Sequence, residues 1–130
     1  MSTPKIPEDK RHLLEDANYG SLGTIRPDNT VQVSPMWFEL DGDTLRFTHT
    51  STRQKFRNLQ HNPSMSLAVF DPANPVGYIE IRGRLQEVIP DPTGSFYDHL
   101  HKRYGGDGMI PPDAADRVIL VMSIEKVAGQ

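Results

Sequence analysis

Basic and hydroxyl side chains are concentrated in one segment in the middle of the chain. Residues 48–58 read THTSTRQKFRN, with Arg53, Lys55 and Arg57 at the start of a predicted helix. Bases are unfavourable there because the helix dipole prefers acids at that end. The free N–H groups of a helix start bind anions, and hydroxyls add donors. The segment therefore predicts a phosphate site, although the residues alone also permit a solvated basic face with an ordinary hydroxyl cap.

A second unusual segment is a predicted strand interrupted by Pro35. Val31 and Val33 share one phase of the alternation, whereas Met36 and Phe38 share the other, so the inward face should change at the proline. Proline within a strand requires either an edge or a bulge. A bulge would free backbone groups to bind the polar edge of a flat ring. An edge strand, with the following tryptophan covering the core, fits the pattern equally well.

Composition excludes several other kinds of site. The chain has no cysteine, its five histidines do not cluster, and it lacks the GxGxxG, P-loop, GxSxG and HExxH motifs. We therefore expect no metal site. The net charge of -3 and the isoelectric point near 5.9 argue against nucleic acid as a partner. No apolar run approaches a membrane span, and the amino terminus does not resemble a signal peptide, so we expect a cytoplasmic protein.

The elements that must position these residues follow from the periodicity of the apolar side chains. With 130 residues the chain should form one domain, residues 1–130. Helical spacing predicts three helices, and period-two alternation predicts six strands joined mainly by tight turns. This order favours an antiparallel barrel over a parallel doubly wound sheet. The predicted helices are Pro4–Ala17, Thr52–His61 and Pro92–Tyr104, and the predicted strands are Ser21–Arg26, Thr30–Leu40, Thr44–Thr50, Met65–Phe70, Gly77–Ile89 and Val118–Val127.

Together these segments resemble a known family, the pyridoxamine phosphate oxidase-like split β-barrels, in particular its F420-dependent flavin/deazaflavin oxidoreductases. The resemblance covers nearly the whole chain. Each motif is loose by itself, but their order and spacing are specific. The matching segments are GSLGTI at residues 20–25, PDN at 27–29, VQVSP at 31–35, RQKFRNL at 53–59, NP at 62–63 and residues 78–83.

The resemblance implies a mainly β, six-stranded antiparallel split barrel with short flanking helices, working as a homodimer with a cofactor site at the subunit interface. By this resemblance Arg53 and Lys55 hold the cofactor phosphate, Thr48 and Thr50 assist, and Asn58 lies nearby. Gln32, Ser34 and Pro35 of the interrupted strand lie beside the ring of the cofactor, and Tyr78 reaches that ring from the partner subunit. The cofactor-binding set is thus Gln32, Ser34, Pro35, Thr48, Thr50, Arg53, Lys55, Asn58 and Tyr78.

The function implied by the resemblance is reduction of an unsaturated small molecule by hydride from reduced coenzyme F420. FMN is the alternative cofactor, which would make the protein a flavin reductase or oxidase-like protein. A module that binds a cofactor or tetrapyrrole without turnover is the alternative of another class. In cofactor enzymes the hydride chemistry belongs to the cofactor. No catalytic residue can be assigned from the sequence, and solvent, His49 and Tyr78 are all possible proton donors.

Overall fold

The computed structural model describes residues 4–130, which form three short α-helices and eight β-strands. The helices are α1 (Glu8–Glu15), α2 (Gln54–His61) and α3 (Ser95–Arg103). All three lie inside the predicted helical segments. None of the helices described is long and apolar enough to cross a membrane.

The strands confirm the predicted mainly β, antiparallel class, but their number is eight rather than six. Two long predicted strands are each divided by a break, the first after Met36 and the second after Ser123. The strands are β1 (Gly20–Ile25), β2 (Val31–Met36), β3 (Glu39–Asp41), β4 (Thr44–Thr50), β5 (Ser64–Asp71), β6 (Asn74–Pro90), β7 (Arg117–Ser123) and β8 (Lys126–Gly129). After Met36 the pairing partner changes from β1 to β4, whereas after Ser123 the chain leaves β4 and its pairing moves from the second part of β6 to the first part.

The strands form one sheet in the order β2-β1-β5-β6-β7-β4-β3, with β8 also paired to β6. Every pairing is antiparallel. Strand β6 is long enough to pair with β5 and β8 through its first part and with β7 through its second part. It therefore joins the two halves of the split barrel, one containing β1, β2 and β5 and the other containing β3, β4 and β7.

A single apolar cluster fills the space between the two halves. Its largest fully buried side chains are two phenylalanines, Phe38 and Phe47, packed among aliphatic residues. Burial of such side chains is the main favourable term in folding. The aliphatic members that are less than 2% exposed include Leu13, Leu14, Leu22, Leu45, Leu67, Val69, Ile79, Ile81, Leu120 and Met122.

The interrupted strand is an edge strand without a bulge. Strand β2 pairs with β1 in regular register from Val31 to Met36, with Pro35 opposite Ser21, and β2 is the last strand on its side of the sheet. The bulge considered at Pro35 is thus wrong and the edge alternative is confirmed. Val31 and Val33 do not face inward as expected, since both are exposed. Apolar side chains can remain there because the outer surface of an edge strand is not covered by this chain.

Candidate functional site

A cavity of about 420 Å³ opens where the edge strand β2 approaches the end of β4 and the start of α2. This volume is within the range of small-molecule sites. The last four residues of β4 are all buried, so both faces of the strand are covered at this point. The cavity is lined by Tyr19, Ser34, Pro35, Met36, Trp37, Thr48, His49, Arg53, Lys55, Tyr97 and Arg117.

Lys55 is the most unusual cation of this cavity. The residue is only 8% exposed, yet its ammonium group has no hydrogen bond or ion pair with any described residue. Burial, with a smaller contribution from the nearby charge of Arg53, lowers the pKa of its ammonium group. Burying an unpaired charge is costly, and lysines are rarely buried without a partner. An anionic group entering the cavity would supply the missing partner.

Arg53 adds a second positive charge at the rim. It is the residue before the first turn of α2, and its side chain is 59% exposed, with only a 3.9 Å approach to the carboxylate of Asp113. Among the described residues no side chain caps this helix start, and its first turn contains no acid. The ordinary hydroxyl cap considered from the sequence is therefore wrong. The first-turn N–H groups without intrahelical partners are free to face an anion.

Arg117 is a third cation, brought into the cavity from β7. The guanidinium is held by Asp113 at 3.0 Å and lies 4.7 Å from the ring centre of Tyr97. It also donates a hydrogen bond of 3.5 Å to the hydroxyl of Thr48. Unlike Lys55, Arg117 is therefore compensated within the chain and fixed in place, so it contributes a rigid positive potential to the wall of the cavity.

Two residues that line this cavity each have a buried polar atom without a partner among the described residues. Nε2 of His49 and Oγ of Ser34 are buried and make no hydrogen bond within the described part of the chain. Burial, followed by the charges of Lys55, Arg53 and Arg117, lowers the pKa of His49 to about 4. The imidazole is consequently neutral near pH 7. Buried polar groups in native proteins are nearly always paired, so unpaired ones in a cavity indicate a place for a ligand.

Aromatic rings form another part of the cavity wall, next to Arg117. Trp37 is stacked on Tyr104 at 5.2 Å and lies 5.7 Å from Tyr97. The hydroxyl of Tyr104 accepts a hydrogen bond from the backbone of Phe38 and donates one to a backbone carbonyl of Asn18, which fixes the ring behind Trp37. The wall is therefore rigid and apolar, and suits a flat aromatic ligand.

Five of the nine predicted cofactor-binding residues lie together in this cavity. They are Ser34 and Pro35 on β2, Thr48 on β4, and Arg53 and Lys55 at the start of α2, which are brought together although they come from three elements.

The other four predicted residues do not line this cavity. Thr50 is buried at the end of β4, and its hydroxyl accepts a hydrogen bond from Thr52. Tyr78 is partly exposed on the outer face of β6. Gln32 and Asn58 are bound to each other: the amide nitrogen of Asn58 donates to Gln32 at 2.9 Å. The assignment of all four residues as ligand contacts stays a prediction.

Six lining residues were absent from the predicted cofactor-binding set: Tyr19, Met36, Trp37, His49, Tyr97 and Arg117. Arg117 reaches the cavity because β7 pairs with β4, which places it directly opposite Thr50 across 67 residues of chain. The one sign in the sequence was an arginine at the start of an otherwise apolar strand. From the sequence, Tyr97 was interpreted only as part of a predicted helix, and Trp37 only as a residue that covers the core.

Comparison with known proteins agrees with this architecture. An F420 reductase of known structure is 49% identical over 95% of this chain and 98% of its own, with a TM-score of 0.91. General Stress Protein 26 from Bacillus anthracis is 18% identical over 94% of this chain and 91% of its own, with a TM-score of 0.73. HupZ from Group A Streptococcus is 16% identical over 96% and 94%, with a TM-score of 0.70. At these two lower identities the similarity shows the fold alone.

A search of curated proteins found no match. The family model named pyridoxamine 5'-phosphate oxidase, in contrast, matches residues 6–130, which is nearly the entire chain. The chain therefore belongs to the pyridoxamine 5'-phosphate oxidase family.

Proposed function

We propose that this protein is a cytoplasmic F420-dependent reductase, a single split-barrel domain that transfers hydride from the reduced deazaflavin to an unsaturated small molecule. The observation that carries the proposal is Lys55, a largely buried cation that has no partner among the described residues, in a cavity that also has a flat aromatic wall. The 49% identity to an F420 reductase over 95% of the chain supports the choice of cofactor. The physiological substrate is not specified by these features.

The residues present fit such a cofactor. Lys55, Arg53 and the uncapped start of α2 would hold its phosphate, since they supply charge and N–H donors at one place. Thr48 and Thr50 lie at the adjacent end of β4. Asn58 would act indirectly, by fixing Gln32.

The edge strand would hold the ring. The side of β2 away from β1 has no neighbouring strand, so every second residue there directs its backbone groups outward. The unpaired hydroxyl of Ser34 adds a donor or acceptor beside them, while Pro35 contributes surface without an N–H. The bound deazaflavin would supply the hydride chemistry. The role of the chain is to position the reactants and to exclude water with Trp37 and Tyr97.

A second copy of the chain would complete the site. Val31, Val33, Phe70 and Tyr78 are large apolar side chains exposed on one outer face of the β2-β1-β5-β6 half. A mainly apolar groove of about 640 Å³ lies on the same half. Exposed patches of this kind mark interfaces. We expect two copies to meet through this face, so that Tyr78 of one copy reaches the ring in the other.

Direct binding tests the cofactor. We expect purified protein to bind F420 at micromolar concentration, followed by ligand fluorescence, and to bind FMN at least about tenfold more weakly. Reduced F420 should then be oxidised in the presence of a panel of quinones and enones. Preferential binding of FMN would contradict the F420 assignment, and F420 binding without turnover of any substrate would indicate a binding module.

Complementation tests the shared site. Lys55→Met and Tyr78→Ala should each impair turnover. If Lys55 and Tyr78 act in one site from different subunits, mixed dimers contain one intact site, and mixing the variants under exchange conditions should restore about a quarter of wild-type activity. Light scattering should report a dimer for both variants. Dimeric variants that show no recovery would mean that each site is built within one chain.

A further inference from the structure

His49 also lines the cavity, and the proposed binding of the phosphate and of the ring by other residues gives it no role. It lies near the end of β4, is 3% exposed, and has a buried Nε2 that makes no hydrogen bond with any residue of the described part of the chain. Its neighbours along β4, Thr48 and Thr50, both have hydrogen bonds to described side chains. A buried ring nitrogen without a partner is destabilising unless another molecule satisfies it.

The groups around His49 explain why its ring stays uncharged. Three cations surround it, and only one of them, Arg117, is strongly paired, through Asp113. A proton added to the imidazole would introduce a fourth positive charge in a poorly solvated place. The titratable and charged groups of the cavity are, by element, Tyr19 before β1, Arg53 and Lys55 at the start of α2, Tyr97 on α3, Asp113 in the loop before β7, and Arg117 on β7.

An anion in the cavity would favour the protonated imidazole of His49 over the neutral one. A phosphate group placed among Lys55, Arg53 and the start of α2 would cancel the repulsion that now opposes protonation. It would also supply the acceptor that the ring lacks. The flexible side chain of Lys55 lines the same cavity and can shift to admit such a contact.

We propose that His49 is an additional binding residue for the anionic group of the ligand, and that its imidazole takes up a proton from solvent when that group binds. The inference rests on the proposed function for the identity of the ligand, a phosphate ester of a flat cofactor. The chemistry itself requires only an anion of suitable size. Binding would then become tighter as the pH falls from 7 towards 5, because the bound state holds one more proton.

Nuclear magnetic resonance of the histidine rings measures this directly in the wild-type protein. The His49 ring signal is assigned by its loss in His49→Gln, with His12→Gln as the control at an exposed helical histidine. Without ligand the His49 ring should stay neutral between pH 5 and 8. With saturating F420 it should titrate within that range, an upward shift of at least about one pH unit, whereas His12 should not change.

A second arm separates the cofactor from the anion. Sodium sulfate, which keeps its charge throughout this range, replaces F420, with sodium chloride at equal ionic strength as the control. Titration of His49 with sulfate but without any binding of F420 would refute the proposed cofactor and support the role of His49. Tight F420 binding with a ring that stays neutral would overturn the role of His49 and leave the proposed function intact. Failure of both ligands to bind would overturn both proposals.

Discussion

Two polar clusters in this protein lie one helical turn apart on α2 and differ in how their hydrogen bonds are satisfied. Around Asn58 every partner belongs to the chain: the amide donates to Thr24 and Gln32 and accepts from Gln54. Around Lys55, the ammonium group and the ring of His49 have no partner within residues 4–130. The first cluster holds the fold together, whereas the second is incomplete without a ligand.

This difference shows that burial alone does not identify a binding residue. Asn58 is more deeply buried than Lys55, and both were predicted from the same motif to act near the phosphate. The distinguishing property is whether the polar atoms are satisfied inside the chain. A variant in the Asn58 cluster should therefore change mainly the stability of the protein, whereas a variant in the Lys55 cluster should change mainly its affinity for the ligand.

Asn58→Ala should have the largest effect. It removes all three hydrogen bonds of a fully buried side chain and leaves the buried hydroxyl of Thr24 and two part-buried glutamine amides without this partner, so the free energy of unfolding should fall by about 3 kcal/mol. Urea denaturation measures this, with Asn62→Ala as the control, since Asn62 has one side-chain hydrogen bond, to the backbone of Ser64. Normal stability with lost F420 affinity would place Asn58 in the ligand site instead.

Lys55→Met should act on affinity and leave stability intact. Losing the charge should weaken F420 binding by about 10- to 100-fold, the range for one hydrogen bond to a charged group. The free energy of unfolding should be unchanged or higher, because the buried ammonium no longer has to be desolvated. Fluorescence titration and urea denaturation give the two values. A destabilised variant with unchanged affinity would make Lys55 a structural residue.

The stability of the ligand-free protein should depend on pH through His49. Its pKa is about 4 when folded and near 6.5 when unfolded, so the unfolded chain binds the proton more strongly and stability falls as the pH drops below about 6.5. Between pH 7.5 and 5 this contribution is about 2 kcal/mol. Denaturation at a series of pH values should show a shallower dependence in His49→Gln than in wild type. Parallel curves would mean that the ring is protonated in the folded state.

Arg57→Ala should have the smallest effect. Arg57 is exposed and already donates to the backbone of Thr52 and the side chain of Gln54, both at 2.9 Å. Removing it should change F420 affinity by less than about threefold and stability by a few tenths of a kcal/mol, as for other exposed charges. Fluorescence titration with F420 and urea denaturation measure the two effects. A loss as large as that of Lys55→Met would extend the anion site along the helix.

The sequence predicted most of the elements because local periodicity depends on neighbouring residues. Strand β4 was predicted with its observed bounds, Thr44–Thr50, and all three helices lie where apolar spacing indicated. The strand count was too low because two long segments are each interrupted: after Met36 the partner changes from β1 to β4, and after Ser123 the chain leaves β4 and continues along β6 alone. Alternation along a strand continues across such a break and does not reveal it.

By itself, the sequence determined the family, the antiparallel fold class and a basic helix start suited to an anion, since these depend on residue types at short spacing. Only the tertiary structure decided that Lys55 and His49 are buried without partners in residues 4–130, that the side chain of Asn58 has all its hydrogen bonds, and that Arg117 lines the cavity. The physical reason is that burial and hydrogen bonding are set by strand pairing between distant segments, as when β7 places Arg117 opposite Thr50.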